Sequence, residues 1–181
     1  MIVFMRLFIA VTLPDNIREY IKDIQKQVPL NNNKIKLVSA EQLHLTLKFL
    51  GEVSEKDVDK VKECLSAVKV KQFKAVLDGT GAFPSESYIR VVWVGLRPKN
   101  KFIELQQRVD KSLLELFKPD KRFQPHVTIA RVRFVEDKKG FFEKVKNIKV
   151  EEKEFIVKNF KLVKSTLTGE GPVYEEIGSF E

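Results

Sequence analysis

The chain contains only two histidines, and each begins the same four-residue pattern, His-x-Thr-x, with an apolar residue at both x positions. The first pattern starts at His44 and includes Thr46, and the second starts at His126 and includes Thr128. Because the unperturbed pKa of histidine is about 6.5, one imidazole can accept a proton while another donates one near neutral pH. Threonine hydroxyls can donate hydrogen bonds to phosphate oxygens. The two patterns together indicate phosphodiester hydrolysis by a paired acid and base.

Both patterns lie in segments with the alternation of a β-strand, in which successive side chains point to opposite faces. Four apolar residues of the first segment are predicted to enter a core: Leu43, Leu45, Leu47 and Phe49. Three polar residues would share the other face: His44, Thr46 and Lys48. In the second segment, His126 and Thr128 are predicted to point away from Val127 and Ile129. If the two segments are related by a rough two-fold axis, the two His-Thr pairs face each other across one groove.

A metal centre is a weaker interpretation of the same residues. Two histidines without Asp or Glu on the same strand faces are too few ligands for a stable zinc site. Cys64 is the only cysteine, so neither a thiolate cluster nor an intramolecular disulfide can form. It lies on a predicted helix among apolar residues, where a free cysteine packs as a small hydrophobe. We therefore expect no metal and no other cofactor.

The elements that must position these residues form an approximate internal duplication. The first half predicts strands at 5–13, 43–50 and 73–82 and helices at 15–28 and 55–68. The second half predicts strands at 88–96, 125–134 and 155–167, helices at 101–117 and 138–148, and a last short strand at 173–180. The helices follow from apolar residues at helical spacing, such as Ile17, Ile21 and Ile24, and the strands from β-branched and aromatic runs.

Mixed strands and helices in two similar halves predict an α+β fold with two pseudo-symmetric lobes. Each lobe would be an antiparallel sheet with helices on its outer face, and the active-site groove would lie between the lobes, where ligand sites commonly form. We expect residues 1–181 to form a single bilobal domain, with approximate sequence halves at 1–84 and 85–181.

The composition limits the partners. The net charge is +8, which favours an anionic partner, nucleic acid first, although Lys- and Glu-rich surfaces also occur in proteins from hot environments. No apolar run is long enough to span a membrane. A single cysteine is typical of a cytoplasmic protein. We expect a cytoplasmic monomer that acts on RNA 3′ ends or on small cyclic-phosphate nucleotides.

The motifs resemble those of the 2H phosphoesterase superfamily, and within it the archaeal and bacterial RNA 2′,3′-cyclic phosphodiesterases, historically called 2′-5′ RNA ligases. The resemblance covers nearly the whole chain. It is carried by residues 5–10, 44–51, 81–84 with 89–93, 126–131, and 165–168 with 171–175. It implies a bilobal α+β fold and hydrolysis of a terminal 2′,3′-cyclic phosphate to a 2′-phosphate, with joining of RNA through a 2′-5′ linkage as a side activity.

The resemblance also implies a role for each site residue. His44 would be the proton donor to the departing 3′ oxygen, and His126 would be the proton acceptor that activates water. Thr46 and Thr128 would bind the phosphate, and Arg131 would add a cationic contact to it.

Strand alternation alone does not select the phosphate-binding cation. Arg131 lies five residues after His126, so a regular strand would point it away from the groove, and a bulge or the end of the strand would be needed to redirect it. Lys48 has the correct alternation and is the rival cation. Phe83, Tyr88 and Trp93 are candidates for stacking a nucleobase.

Two other functions stay open from the sequence. A basic RNA-binding module without turnover would show salt-sensitive binding that does not depend on either histidine. A small cyclic nucleotide could also be the substrate, since the loops that contact base and ribose cannot be placed from the sequence.

Overall fold

The computed structural model describes residues 3–169 and 171–181. The strands are β1 (Phe4–Thr12), β2 (Lys34–Leu37), β3 (His44–Ser54), β4 (Phe73–Ser85), β5 (Tyr88–Arg97), β6 (His126–Phe134), β7 (Glu154–Val157), β8 (Phe160–Thr168) and β9 (Gly171–Phe180). The α-helices are α1 (Asp15–Gln25), α2 (Glu55–Ser66), α3 (Lys99–Ser112) and α4 (Lys138–Lys146), and a 3-10 turn covers Ala40–Gln42. Among these residues, no helix has the length and apolar character needed to cross a membrane.

The strands pair in the order β7-β4-β5-β6-β3-β1-β8-β9, with β2 added to β6, and every pairing is antiparallel. The contact between β6 and β3 is narrow, because Leu45 and Val127 are the only residues paired there. The sheet therefore divides into a first lobe of β3, β1, β8 and β9 and a second lobe of β2, β4, β5, β6 and β7. This confirms the predicted α+β architecture with two antiparallel lobes.

The two sequence halves exchange a strand. β4 from the first half pairs with β5, and β8 from the second half pairs with β1. The order β4-β5-β6 in one lobe is thus matched by β8-β1-β3 in the other. The division near residue 84 therefore separates the two sequence repeats, but each lobe contains strands from both repeats. The predicted strand 155–167 is wrong as one element, because β7 pairs with β4 and β8 with β1, on opposite sides of the molecule.

The helices pack on the side of the sheet away from the groove and bury their apolar stripes there. Ile17, Ile21 and Ile24 of α1 are fully buried, as their spacing predicts. Helix α1 contacts β6, α2 contacts β3 and β9, and α4 contacts β4 and β5, whereas α3 contacts both β3 and β5 and so bridges the lobes. Cys64 lies half-buried against this core. A smaller apolar cluster of Phe8, Ala10 and Val163 forms on the other face.

Candidate active site

All five sequence-predicted site residues line one groove of about 460 Å³ between the lobes. They are His44 and Thr46 from β3 and His126, Thr128 and Arg131 from β6. These two strands are neighbours at the narrow junction of the sheet, which brings the two His-x-Thr segments together. The predicted alternation holds here, since Leu45 and Val127 are fully buried while the His and Thr side chains are only partly buried.

Each imidazole is oriented by the backbone carbonyl two residues before it. His44 Nδ1 lies 2.6 Å from the carbonyl oxygen of Gln42, and His126 Nδ1 lies 2.7 Å from that of Gln124. A carbonyl can only accept, so Nδ1 carries the proton in both rings and Nε2 is the proton acceptor of the neutral form. The repeated Gln-x-His-x-Thr spacing was a signal for this arrangement that the His-x-Thr pattern alone did not reveal.

The two Nε2 atoms have different environments. His44 Nε2 lies 3.0 Å from the Thr46 hydroxyl oxygen, which donates to it when the ring is neutral. His126 Nε2 has no hydrogen-bond partner in the part of the chain that the structure describes. The Nε2 of His126 is therefore free to accept a proton from a molecule in the groove.

Burial lowers the pKa of both histidines. Loss of hydration lowers the pKa of His44 to about 4; the Gln42 carbonyl raises it in opposition, and the nearby Arg131 and His126 lower it further. Burial also lowers the pKa of His126, against the opposing effect of the Gln124 carbonyl. Both rings are consequently neutral near pH 7 in the free protein, because removing a group from water disfavours its charged form.

A β-bulge follows each His-x-Thr segment at the same position. Pairing of β3 with β1 skips Leu47, and pairing of β6 with β5 skips Ile129, each three residues after the histidine. An extra residue in one strand reverses the alternation beyond it. Phe49, predicted to enter the core, is therefore 73% exposed and lines the groove, so that prediction is wrong. Arg131, the equivalent residue of the second half, is redirected to the groove in the same way.

The backbone before Arg131 is fixed by hydrogen bonds, whereas the charge of its guanidinium is not neutralised by a neighbouring side chain in the described residues. The carbonyl oxygen of the bulged Ile129 accepts hydrogen bonds from Gln25 Nε2 at 2.8 Å and from the Val38 amide at 3.0 Å, which fixes the bulge. Within the described residues, the Arg131 guanidinium has no hydrogen bond or ion pair. It is therefore a cation available to an anion in the groove.

Lys48 contributes to the lining of the groove, but its ammonium group is buried in an ion pair and does not face the groove as the sequence predicted. The bulge turns its side chain toward α3, and only 3% of the residue is exposed. Its ammonium group pairs with Asp110 Oδ1 at 2.5 Å and donates to the Lys118 carbonyl at 2.9 Å. The second oxygen of Asp110 accepts from Gln106 Nε2 and from the Asp120 amide.

This buried ion pair has a structural consequence for the groove. It attaches the segment after α3 to β3, and the continuation of that segment supplies groove-lining residues at 120 and 122–124. The segment includes Gln124, whose carbonyl orients His126. Lys48 thus positions this segment of the groove, and its own charge is already paired with that of Asp110.

Aromatic rings enclose both imidazoles. Phe83 lies edge-on to His126 at 4.9 Å, with Trp93 behind it at 6.4 Å, and Phe8 and Tyr174 lie 4.9 and 5.4 Å from His44. Phe83 and Tyr174 line the groove, and the role of Tyr174 was not evident from the sequence.

The other two stacking candidates do not reach the groove. Trp93 is half-buried and lies over Gly81, where any Cβ would overlap its indole. Tyr88 lies outside the groove, under the Arg90 guanidinium. Among residues 3–169 and 171–181, no three His, Cys, Asp or Glu side chains are grouped so as to hold a metal ion.

The fold and the paired histidine strands define a class of protein. The family model for LigT-like phosphoesterases matches the chain twice, at residues 11–93 and 94–174. Each match contains one His-x-Thr-x pattern, which agrees with the internal duplication. The chain belongs to this family of phosphoesterases, in the 2H superfamily.

Individual relatives are similar over almost their full length. The RNA 2′,3′-cyclic phosphodiesterase of Methanocaldococcus jannaschii is 43% identical over 176 residues, covering 96% of this chain and 98% of that protein. The enzyme of the same name from Archaeoglobus fulgidus is 38% identical, covering 98% of this chain and 100% of that protein.

Two solved structures extend the comparison to three dimensions. A crystal structure of a Thermus thermophilus protein matches with a TM-score of 0.82 at 32% identity, covering 97% of each chain. Escherichia coli LigT in complex with 3′-AMP matches with a TM-score of 0.76 at 26% identity, covering 98% of this chain and 97% of that one.

Proposed function

We propose that this protein is an RNA 2′,3′-cyclic phosphodiesterase, which hydrolyses a terminal 2′,3′-cyclic phosphate to a 2′-phosphate. The observation that carries the proposal is the pair of imidazoles in one groove, each with Nδ1 bonded to a carbonyl and Nε2 as its reactive nitrogen. The relatives named RNA 2′,3′-cyclic phosphodiesterase support the choice of substrate.

The reaction divides between the two histidines. His126 Nε2 takes a proton from water, whose oxygen attacks the phosphorus. The bond from phosphorus to the 3′ oxygen then breaks, and His44 donates a proton from Nε2 to that oxygen. The product carries a 2′-phosphate and a 3′-hydroxyl. His126 is assigned as the base because its Nε2 is unpartnered among the described residues, and the assignment agrees with the family pattern.

Phosphate binding prepares His44 for its role as acid. A donor must be protonated, yet burial and Arg131 hold the pKa of His44 at about 4 in the free protein. A negatively charged phosphate beside the ring favours the imidazolium and offsets the effect of Arg131. Substrate binding therefore raises the pKa of His44 toward the working pH.

Three further groups act on the phosphate oxygens. The Thr46 and Thr128 hydroxyls and the Arg131 guanidinium line the same groove as the histidines. Hydrogen-bond donors aimed at the non-bridging oxygens stabilise the charge that develops as water attacks. We assign these three residues to phosphate binding.

The same acid and base can serve the reverse reaction, in which a 5′-hydroxyl replaces water and RNA is joined through a 2′-5′ linkage. Bulk water favours hydrolysis, so joining is a side activity. One chain supplies every residue assigned here, which supports action as a monomer. The single cysteine supports a cytoplasmic location.

The proposal is tested by incubating the protein, in excess EDTA, with a short RNA that ends in 2′,3′-cyclic phosphate. We expect a 2′-phosphate end, and we expect His44→Ala and His126→Ala to abolish its formation while leaving the circular dichroism spectrum unchanged. RNA binding that persists without turnover in the wild-type protein would favour a binding module. Turnover of a cyclic mononucleotide alone would favour a small-molecule substrate.

A further inference from the structure

Five basic residues extend from the groove over the second lobe, and we call them the cationic strip. They are Lys34 and Lys36 of β2, Arg90 of β5, and Arg131 and Arg133 of β6, and all are exposed. The strands that carry them, β2, β5 and β6, contain no Asp or Glu. The strip begins inside the groove at Arg131.

The pairing register places much of this strip on the groove face of the sheet. Arg131 pairs with Val91 on one side and with Lys36 on the other, and Val91 lines the groove. Directly paired residues of an antiparallel sheet share a face, as do alternate residues of one strand. Lys36 and Lys34 therefore lie on the same face of the sheet as Arg131. Strand β6 continues for about 10 Å from Arg131 to its end at Phe134, which sets the length of the strip beyond the groove.

The cations of the strip differ in their partners from the other strand cations of the molecule. In the second lobe outside the strip, Lys74 pairs with Glu154 and Arg97 with Asp78 and Glu152. Every Lys or Arg in the strands of the first lobe has an acidic partner: Arg6 with Glu52, Lys48 with Asp110, Lys161 with Glu176, and Lys164 with Glu175. In the strip, Lys34, Arg90, Arg131 and Arg133 form no ion pair with any residue in 3–169 or 171–181. Lys36 pairs directly with Arg131 across β2 and β6, so these two basic residues are neighbours on the sheet.

Two exposed aromatic rings lie at the far end of the strip. Phe134 is 52% exposed and pairs with Lys34, and Tyr88 is 51% exposed with the Arg90 guanidinium 4.6 Å above its ring. Basic side chains interleaved with exposed rings are typical of surfaces that bind single-stranded nucleic acid, in which unpaired bases stack on the rings.

We propose that the cationic strip binds the phosphodiester backbone of the nucleotides that precede the cyclic end. The preferred substrate is then the 3′ end of single-stranded RNA, and a cyclic mononucleotide is a poorer substrate with a higher KM. The proposal rests on the proposed function, since it extends the site of the same reaction.

The test compares a cyclic-ended single-stranded RNA with adenosine 2′,3′-cyclic phosphate as substrates. The variant is Lys34→Gln with Arg133→Gln, because neither residue lines the groove. A matched control, Lys56→Gln with Lys60→Gln, removes two exposed charges from α2 on the opposite side of the sheet. We expect the strip variant to raise the KM for RNA several-fold with little change for the mononucleotide, and the control to change neither.

Salt dependence gives a second readout. Each neutralised phosphate of a single strand contributes a slope of about −0.7 in a plot of log affinity against log salt concentration. Loss of two contacts therefore makes the slope for RNA shallower by about 1.4, and Lys34→Arg with Arg133→Lys restores it.

Equal wild-type KM values for RNA and the mononucleotide would overturn the proposal, as would an unchanged KM for RNA in the strip variant. Failure to hydrolyse either substrate would instead overturn the proposed function, so the two failures are distinguishable.

Discussion

Phe49 and Arg131 occupy the same position in the two halves, five residues after the histidine of each motif, and both reach the groove because a bulge precedes them. The bulges lie at Leu47 and Ile129. Lys48, directly before Phe49, and Ala130, directly before Arg131, are buried on the side of the helices. The duplication thus gives the groove an aromatic ring on one wall and a guanidinium on the other.

The position of Arg131 predicts a direct role in turnover. Replacing it with Ala should lower kcat/KM for a cyclic-ended RNA by about 10- to 100-fold, because a hydrogen bond to a charged group is worth about 1.5–3 kcal/mol. Arg131→Lys should recover part of the loss, since lysine keeps the charge but not the planar pair of donors. Arg6→Ala, at the outer end of β1, is the control and should leave turnover unchanged. Wild-type kinetics in Arg131→Ala would contradict the assignment.

The buried pair of Lys48 and Asp110 predicts a stability effect that depends on both partners. Lys48→Met should lower the free energy of unfolding by about 3–5 kcal/mol, because it leaves a buried carboxylate uncompensated. Adding Asp110→Leu should recover part of that loss, which denaturant unfolding of both variants would measure. If Lys48→Met kept its stability and lost turnover, Lys48 would be a phosphate contact after all.

The two threonines are predicted to act through their hydroxyls alone. Thr46→Val and Thr128→Val keep the branched shape of each side chain, so the sheet should be undisturbed. Each substitution removes one donor to the phosphate oxygens and should reduce kcat by about tenfold or more. Steady-state kinetics, with thermal unfolding as the control for folding, would check this. A Ser replacement at either position should retain most of the activity.

The lowered pKa of His44 predicts a titration that depends on ligand. In the free protein its folded pKa of about 4 lies below the ordinary value of 6.5, so the ring stays neutral until the pH falls toward 4. The unfolded chain takes up this proton first, and the contribution of His44 to stability is therefore lost as the pH falls from about 6.5 to 4.

Nuclear magnetic resonance of the imidazole nitrogens can follow this titration. Adding a nucleoside 2′-phosphate should raise the pKa of His44, because the anion favours the imidazolium. A ring that is already protonated at pH 7 in the free protein, or a pKa that the ligand leaves unchanged, would contradict the proposed preparation of the acid.

Features that depend on a single strand could be predicted from the sequence, whereas features that depend on pairing between distant strands could not. Alternation from His44 to Leu45 and from His126 to Val127 depends on the strand itself, so the inward and outward faces were predicted correctly there. The directions of Lys48 and Phe49 were not, because the bulge is defined by pairing with β1, which is distant in sequence. The spacing of residues within one strand does not determine the register in which that strand pairs with its neighbour.

Non-local pairing also explains the other differences. The segment 155–167 has the composition of one strand, yet its two parts pair with β4 and β1 in different lobes. Strand β2 was not predicted because it is only four residues long and two of them, Lys34 and Lys36, are lysines. The contact of Tyr174 with His44 arises only when β9 folds back on β8.

The division of labour between the two histidines is tested most directly with a substrate whose 3′ bridging oxygen is replaced by sulfur. A thiol has a pKa of about 8.5, far below that of an alcohol, so a thiolate leaves without being protonated. We predict that His44→Ala, inactive on the oxygen substrate, hydrolyses the sulfur substrate at close to the wild-type rate, while His126→Ala hydrolyses neither. Rescue of His126→Ala, or equal failure of both variants, would contradict the assignment of His44 as acid and His126 as base.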